Sequence, residues 1–137
     1  MLYTLIALLL ATTPLAAATT QTTKTEETKH HLIDANQLKS WYDQNKPMVV
    51  VDARSAKYFD GTLLPNAKWL PAESTEQEIE AAIPSKNTLV VVYCLGVTCP
   101  ASGWLYDKLA TMGYKNVYEY HEGLQDWKQK GYSTTTK

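Results

Sequence analysis

The chain has 137 residues, of which 45% are apolar, 10% aromatic and 20% charged. That length suggests one domain, and a formal charge of −1 argues against a nucleic-acid binder, which presents a basic face. Two cysteines, Cys94 and Cys99, exclude a disulfide-dense scaffold and a four-cysteine zinc site.

Residues 1–18 carry no charged side chain. Their apolar centre, Leu5 to Ala11, is short for a membrane span of roughly 20 residues. Pro14 breaks the run, and Ala16 to Ala18 supply the small residues of a cleavage site. The expectation is a secretory signal peptide. With no Lys or Arg before the apolar run, an uncleaved anchor is the rival reading. Residues 19–29 are Thr-rich and without apolar periodicity, as expected of a disordered linker. The folded domain is expected over residues 30–132, followed by a polar tail at 133–137.

Within the domain, strand-like and helix-like segments alternate. His30–Asp34 reads as a short strand. Ala35–Gln44 places Leu38, Trp41 and Tyr42 on one helical face. Pro47–Ala53 is a β-branched run, as expected of a strand buried on both faces. Ala67–Pro71 reads as a short extended piece. Glu73–Ile83 reads as a helix that Ser74 or Thr75 can cap, with acidic residues where the helix dipole favours them. Thr88–Cys94 is a second continuous apolar strand. Pro100–Gly113 reads as a helix with proline near its start and glycine at its stop. Asn116–Tyr120 is a further strand, and Leu124–Gly131 a last short helix. Such alternation predicts an α/β domain with a mainly parallel sheet. Trp41, Trp69, Trp104 and Trp127 all fall at places where core packing is the expectation.

In an open parallel sheet, sites lie beyond the carboxyl ends of strands. Asp52 and Arg54, the chain's single arginine, end one apolar strand. Cys94 ends the other and leads through Leu95, Gly96, Val97 and Thr98 to Cys99 and a helix. Free N–H groups in such a loop favour a thiolate and lower its pKa, which makes a nucleophile. The same position also suits a passive, buried small side chain. Cys99, just before Pro100, is placed to cap the helix, to carry sulfur or to close a disulfide with Cys94. Two thiols make no zinc site, and no metal or other cofactor is expected. A phosphatase-type clamp would need an arginine where Pro100 stands, and no arginine follows Arg54.

Three segments together resemble the single-domain rhodanese family. Val49–Pro71 resembles its first signature, a strand, Asp-x-Arg, a short helix with an aromatic, a glycine and an alanine, here Asp52, Arg54, Tyr58, Gly61 and Ala67. Val90–Ser102 resembles the active-site strand and loop. Gly113–Ser133 resembles the closing signature, with Gly113, Val117, Gly123, Trp127 and Gly131. The resemblance implies a three-layer α/β/α fold around a five-stranded, mainly parallel sheet. It implies a sulfurtransferase in which Cys94 takes sulfane sulfur from a donor such as thiosulfate, becomes a persulfide and passes the sulfur to a thiol or cyanide-like acceptor. The loop amides would stabilise the anionic sulfur. Asp52 and Arg54 would be a supporting charge pair, with Arg54 a secondary candidate for attracting an anionic donor. Three features depart from the common pattern. Leu95 and Cys99 stand where a basic residue is usual. Gly96 comes one position early. The span from Cys94 to Gly113 is somewhat long.

Two rival functions share this fold: a thiol–disulfide module using Cys94 and Cys99, and a non-catalytic binding domain. The expected protein is an exported monomer, periplasmic or secreted. Its partners would be small sulfur compounds, with no nucleic acid and no stable membrane insertion after cleavage.

Overall fold

The computed structural model describes residues 29–137. The signal peptide and all but the last residue of the Thr-rich linker lie outside them. Among the described residues, four α-helices and six short strands follow one another. They are α1 (Ala35–Asp43), β1 (Val49–Asp52), β2 (Thr62–Leu63), β3 (Lys68–Trp69), α2 (Glu76–Ala82), β4 (Leu89–Tyr93), α3 (Ala101–Thr111), β5 (Asn116–Tyr120), α4 (Gly123–Gln129) and β6 (Thr135–Thr136).

The main sheet has four parallel strands in the order β3-β1-β4-β5. The apolar runs form its centre because both faces are covered. Alternation along each strand sends Val51, Val90, Val92 and Val117 to one face, where α2 and α3 contribute Ile79, Leu105 and Leu109. Val50, Val91, Tyr93 and Tyr120 point the other way, against Leu38 and Trp41 of α1 and Leu124 and Trp127 of α4. The result is the three-layer α/β/α arrangement. Cys94 continues the alternation of Val90 and Val92 and therefore faces α3.

The expected five-stranded sheet is four-stranded in its ladder. The segment read as the first strand makes a single parallel bridge, Leu32 to Glu119, at the outer edge of β5. Ile33 N–H donates to Glu119 O (3.0 Å) and Glu119 N–H to His31 O (2.8 Å). Pairing stops there because the Asp34 carboxylate accepts from Gln37 N–H and starts α1 at the next residue. The residues read as a polar tail hold β6, which pairs antiparallel with β2 in a separate two-stranded sheet. Thr75 caps α2 with a reciprocal capping box to Glu78.

Chain order places the functional candidates. From β1 the chain moves outward to β3 and then crosses to β4 on the other side of β1. The carboxyl ends of β1 and β4 thus flank a topological switch point, where open α/β sheets hold their ligands. Asp52 and Tyr93 are register partners at that end, so Asp52–Arg54 and Cys94 emerge side by side.

Candidate active site

Cys94 and Cys99 are joined in a disulfide, with Cα atoms 6.2 Å apart. A free Cys94 thiolate, the form required of a nucleophile, is therefore absent from this state of the loop. Cys94 is 0% exposed, packed among Ala53, Ala101 and Leu105. Cys99 is half-buried, and Val97 and Thr98 at the loop tip are exposed.

The backbone explains how the loop brings the sulfurs together. Cys99 N–H donates to Gly96 O (2.9 Å), closing a turn over Gly96–Cys99. Leu124 N–H donates to Cys94 O (3.0 Å) and Gln125 N–H to Leu95 O (2.9 Å). The first turn of α4 thereby pins the root of the loop. That contact needs Gly123, whose φ is +66° and where a Cβ would lie 2.4 Å from Cys94 O and 3.1 Å from Gly96 N. At Gly96 an added Cβ would meet only the movable end of a side chain, Gln125 Oε1, at 2.6 Å, with the nearest backbone atom at 3.7 Å. Gly123 stood in the sequence only as one member of a closing signature. Its approach to Cys94, and the parts of Leu124 and Gln125, went unread.

Among the described residues, the N–H groups of Leu95, Gly96, Val97 and Thr98 donate to no backbone acceptor. They are the free donors of the loop, and no Lys or Arg lies between Cys94 and Pro100. Cys99 does not cap α3. The N-cap is Pro100, whose ring has no hydrogen-bonding group and makes no side-chain cap bond.

Arg54 is 1% exposed and every N–H of its guanidinium has an acceptor. Nε lies 3.0 Å from both Asp52 carboxylate oxygens, and Nη2 lies 2.7 Å from Asp52 Oδ2 and 2.6 Å from Thr62 O. Nη1 reaches Tyr58 O (3.3 Å) and Asp60 Oδ1 (3.2 Å). Burial disfavours the charge, but the hydrogen bonds and charges of Asp52 and Asp60 outweigh it and raise the pKa. The guanidinium ties the β1 end to the 58–62 loop and has no donor left for a sulfur oxyanion. Ser55–Phe59, expected as a short helix, is one turn closed by Tyr58 and Phe59 N–H on Ser55 O. Buried Tyr93 accepts from Leu64 N–H on its hydroxyl (3.1 Å). Burial, with Asp52 nearby, pushes its pKa far above the ordinary phenol value.

The tryptophans divide. Trp41 and Trp127 are core residues, and Trp69 stacks on Phe59 and donates to Arg54 O (2.7 Å). Trp104 is 63% exposed. It lies on the side of α3 away from Leu105 and Leu109, which point into the core.

A second polar cluster sits where α3 begins. Glu119, 3% exposed, accepts from Ser102 Oγ (2.7 Å) and bonds His30 Nδ1 (2.6 Å) and His121 Nδ1 (3.3 Å). His30 Nε2 also reaches Asp107 (2.9 Å), and its ring packs on Tyr106. Burial raises the pKa of Glu119, but its three side-chain partners outweigh that and hold it below the usual carboxylate value. Burial lowers that of His30, and the two carboxylates reverse the sign and raise it. A surface groove of about 1040 Å³ runs along β3 and α2. Neither cysteine lines it.

The family model for the rhodanese-like domain matches residues 34–130. No curated protein matches the chain. Among solved structures, the BH2092 protein from Bacillus halodurans superposes with a TM-score of 0.70 at 21% identity, covering 77% of each chain. A rhodanese from E. coli, solved with anions, gives 0.54 at 27% identity over 66% of this chain and 99% of that one. Thiosulfate sulfurtransferase from Pseudomonas aeruginosa gives 0.66 at 19% identity over 78% of this chain but 20% of its own length. With 34–130 spanning α1 to α4, and Cys94 directly after β4, one of the two central strands, the chain belongs to the rhodanese-like domain family.

Proposed function

We propose that this domain moves sulfane sulfur from a small donor such as thiosulfate to a thiol or cyanide-like acceptor through a persulfide on Cys94. The observation that carries the reading is the position of Cys94. It ends β4 at the switch point, ahead of a loop whose Gly96, Val97 and Thr98 amides lack backbone acceptors. Such amides favour an anionic sulfur. The reaction begins with the reduced loop. The Cys94 thiolate attacks the outer sulfur of thiosulfate, the S–S bond of the donor breaks, and sulfite leaves with the electron pair. The acceptor then attacks the outer sulfur of the persulfide, and the Cys94 thiolate departs as leaving group.

Residues 1–18 support export to the periplasm or medium, and a compartment outside the cytosol lets the Cys94–Cys99 bond persist. Asp52 and Arg54 serve as support in this reading, bracing the β1 end without touching the donor. The disulfide also favours a second reading, a thiol–disulfide module that uses both cysteines.

The test is mass spectrometry of reduced protein after incubation with thiosulfate. A gain of about 32 Da, one sulfur atom, is expected at Cys94 in a Cys99→Ser background and is lost in Cys94→Ser. No sulfite release and no adduct with any sulfane donor would sink the sulfurtransferase reading.

A further inference from the structure

Resting on the Cys94 persulfide proposed above, we propose that Cys99 resolves that persulfide. The domain would thereby become a dithiol-driven reductase that releases sulfane sulfur as hydrosulfide. The disulfide is the observation that points to it. Resolution requires Cys99 Sγ to reach Cys94 Sγ, the inner sulfur of the persulfide, and those two atoms are bonded in the structure.

That reach is built into the loop. Cys94 O and Leu95 O are held by the α4 amides, Cys99 N–H closes back on Gly96 O, and Pro100 fixes the exit into α3. Gly123 is confined against the backbone of Cys94 and Gly96. A thiol held this way acts at high effective concentration, which favours it over a dilute external acceptor.

The step balances. The Cys99 thiolate attacks Cys94 Sγ and a Sγ–Sγ bond forms. The bond from Cys94 Sγ to the outer sulfur breaks, and that sulfur leaves with the electron pair. It takes up the proton given up by the Cys99 thiol and departs as hydrosulfide. The two cysteines lose two electrons and the sulfane sulfur gains them. Over both steps, reduced protein and thiosulfate yield sulfite, hydrosulfide and the disulfide form.

Closing the cycle takes an external thiol reductant, and burial decides where it attacks. Cys94 is 0% exposed, whereas Cys99 is half-buried. The incoming thiolate meets Cys99 Sγ, and Cys94 leaves as the thiolate. A second thiol then frees Cys99. The product is the form of Cys94 that attacks the next donor.

The experiment is a single turnover of the reduced, full-length chain with thiosulfate under anaerobic conditions and without added thiol. Sulfite, sulfide and free thiols are counted. The wild-type chain is expected to give sulfide and sulfite in equal amounts, to lose both thiols and to hold no extra sulfur. In Cys99→Ser, and in Cys99→Ala as a second variant, the ratio of sulfide to sulfite falls about tenfold or more, and the added sulfur stays on Cys94. A wild-type chain that releases sulfite but retains a stable persulfide overturns the resolving role and leaves the sulfurtransferase reading standing. Added sulfur mapping to Cys99 also overturns it, in favour of a relay. If no form of the protein releases sulfite, both proposals fall together.

Discussion

Replacing Gly123 with alanine tests whether the root of the loop depends on a close backbone approach. Gly123 sits at φ +66°, a region that costs an ordinary residue about 1–2 kcal/mol. Gly113 sits at φ +88° with nothing within 4 Å of an added Cβ, so Gly113→Ala isolates that conformational cost. At Gly123 the new Cβ would also lie 2.4 Å from Cys94 O and 3.1 Å from Gly96 N. Both are backbone atoms, so relief requires moving α4 away from the loop. That motion weakens Leu124 N–H to Cys94 O and Gln125 N–H to Leu95 O, each worth about 1 kcal/mol net. The expected losses are about 1–2 kcal/mol for Gly113→Ala and about 3–4 kcal/mol for Gly123→Ala. In thermal melts of a domain near 100 residues the gap of about 2 kcal/mol separates the midpoints by roughly 8–16 °C. Persulfide formation by Gly123→Ala should fall along with stability, because the displaced atoms belong to Cys94 itself. Equal destabilisation of the two variants, with sulfur transfer intact in both, would refute the cradle.

Arg54→Met should cost about 3–5 kcal/mol in urea unfolding, since it strands the fully buried Asp52 carboxylate; a loss under about 1 kcal/mol would mean that the brace is dispensable. The His30 latch should weaken with rising pH. The raised folded pKa of His30 contributes stability that is complete below the unfolded value near 6.5 and disappears as pH climbs through the folded one. The groups around that ring are Glu119 and His121 from β5 and its following turn, and Ser102, Tyr106 and Asp107 from α3. Exchange of the Ile33 and Glu119 amides, followed by NMR, should accelerate over that window beyond the intrinsic base-catalysed rise, and the excess should vanish in His30→Gln. Val97→Arg adds a cation at an exposed tip without disturbing the core. Worth about 0.2–1 kcal/mol as an exposed pair, it should lower the thiosulfate KM up to roughly fivefold, an effect erased by salt. An unchanged KM at low salt would show that the donor does not pass the tip.

The buried strands were legible because Val49–Val51 and Val90–Val92 are unbroken β-branched runs, a pattern that only a sheet covered on both faces accommodates. The start of α2 was legible only to a choice between Ser74 and Thr75 as cap, and the structure selects Thr75, whose side chain and that of Glu78 bond each other's backbone N–H. What escaped depends on partners distant in sequence. Thr62–Leu63 and Thr135–Thr136 are too short to show alternation and become strands only by pairing with each other. The His30–Asp34 segment has the composition of a strand, but Asp34, three residues after His31 O accepts from Glu119 N–H, caps α1 and leaves room for one bridge. Trp104 fits an apolar helical pattern, yet the neighbouring Leu105 and Leu109 take the buried face of α3. At the site, the pairing of Cys94 with Cys99 was one of several open alternatives. Spacing puts two thiols in one loop but does not show whether the backbone turns one over the other. That turn is made by Gly96 O and the α4 amides.

The charge of the loop bears on which step is difficult. Every N–H of Arg54 is engaged with Asp52, Asp60, Tyr58 and Thr62, and no other cation lies between Cys94 and Pro100. Stabilisation of an anionic sulfur therefore falls to backbone dipoles. Fixed dipoles suit a small, singly charged persulfide held against them better than a doubly charged donor arriving from water, whose hydration must be replaced. A persulfide steadied in this way would still have to wait for an acceptor that is dilute in solution. A thiol five residues along the same loop avoids that encounter. Under the resolving role proposed above, the lack of a Lys or Arg between Cys94 and Pro100 and the presence of Cys99 would be connected. With little charge to draw in anions, a site working in that way would gain more from a built-in acceptor than from an open mouth.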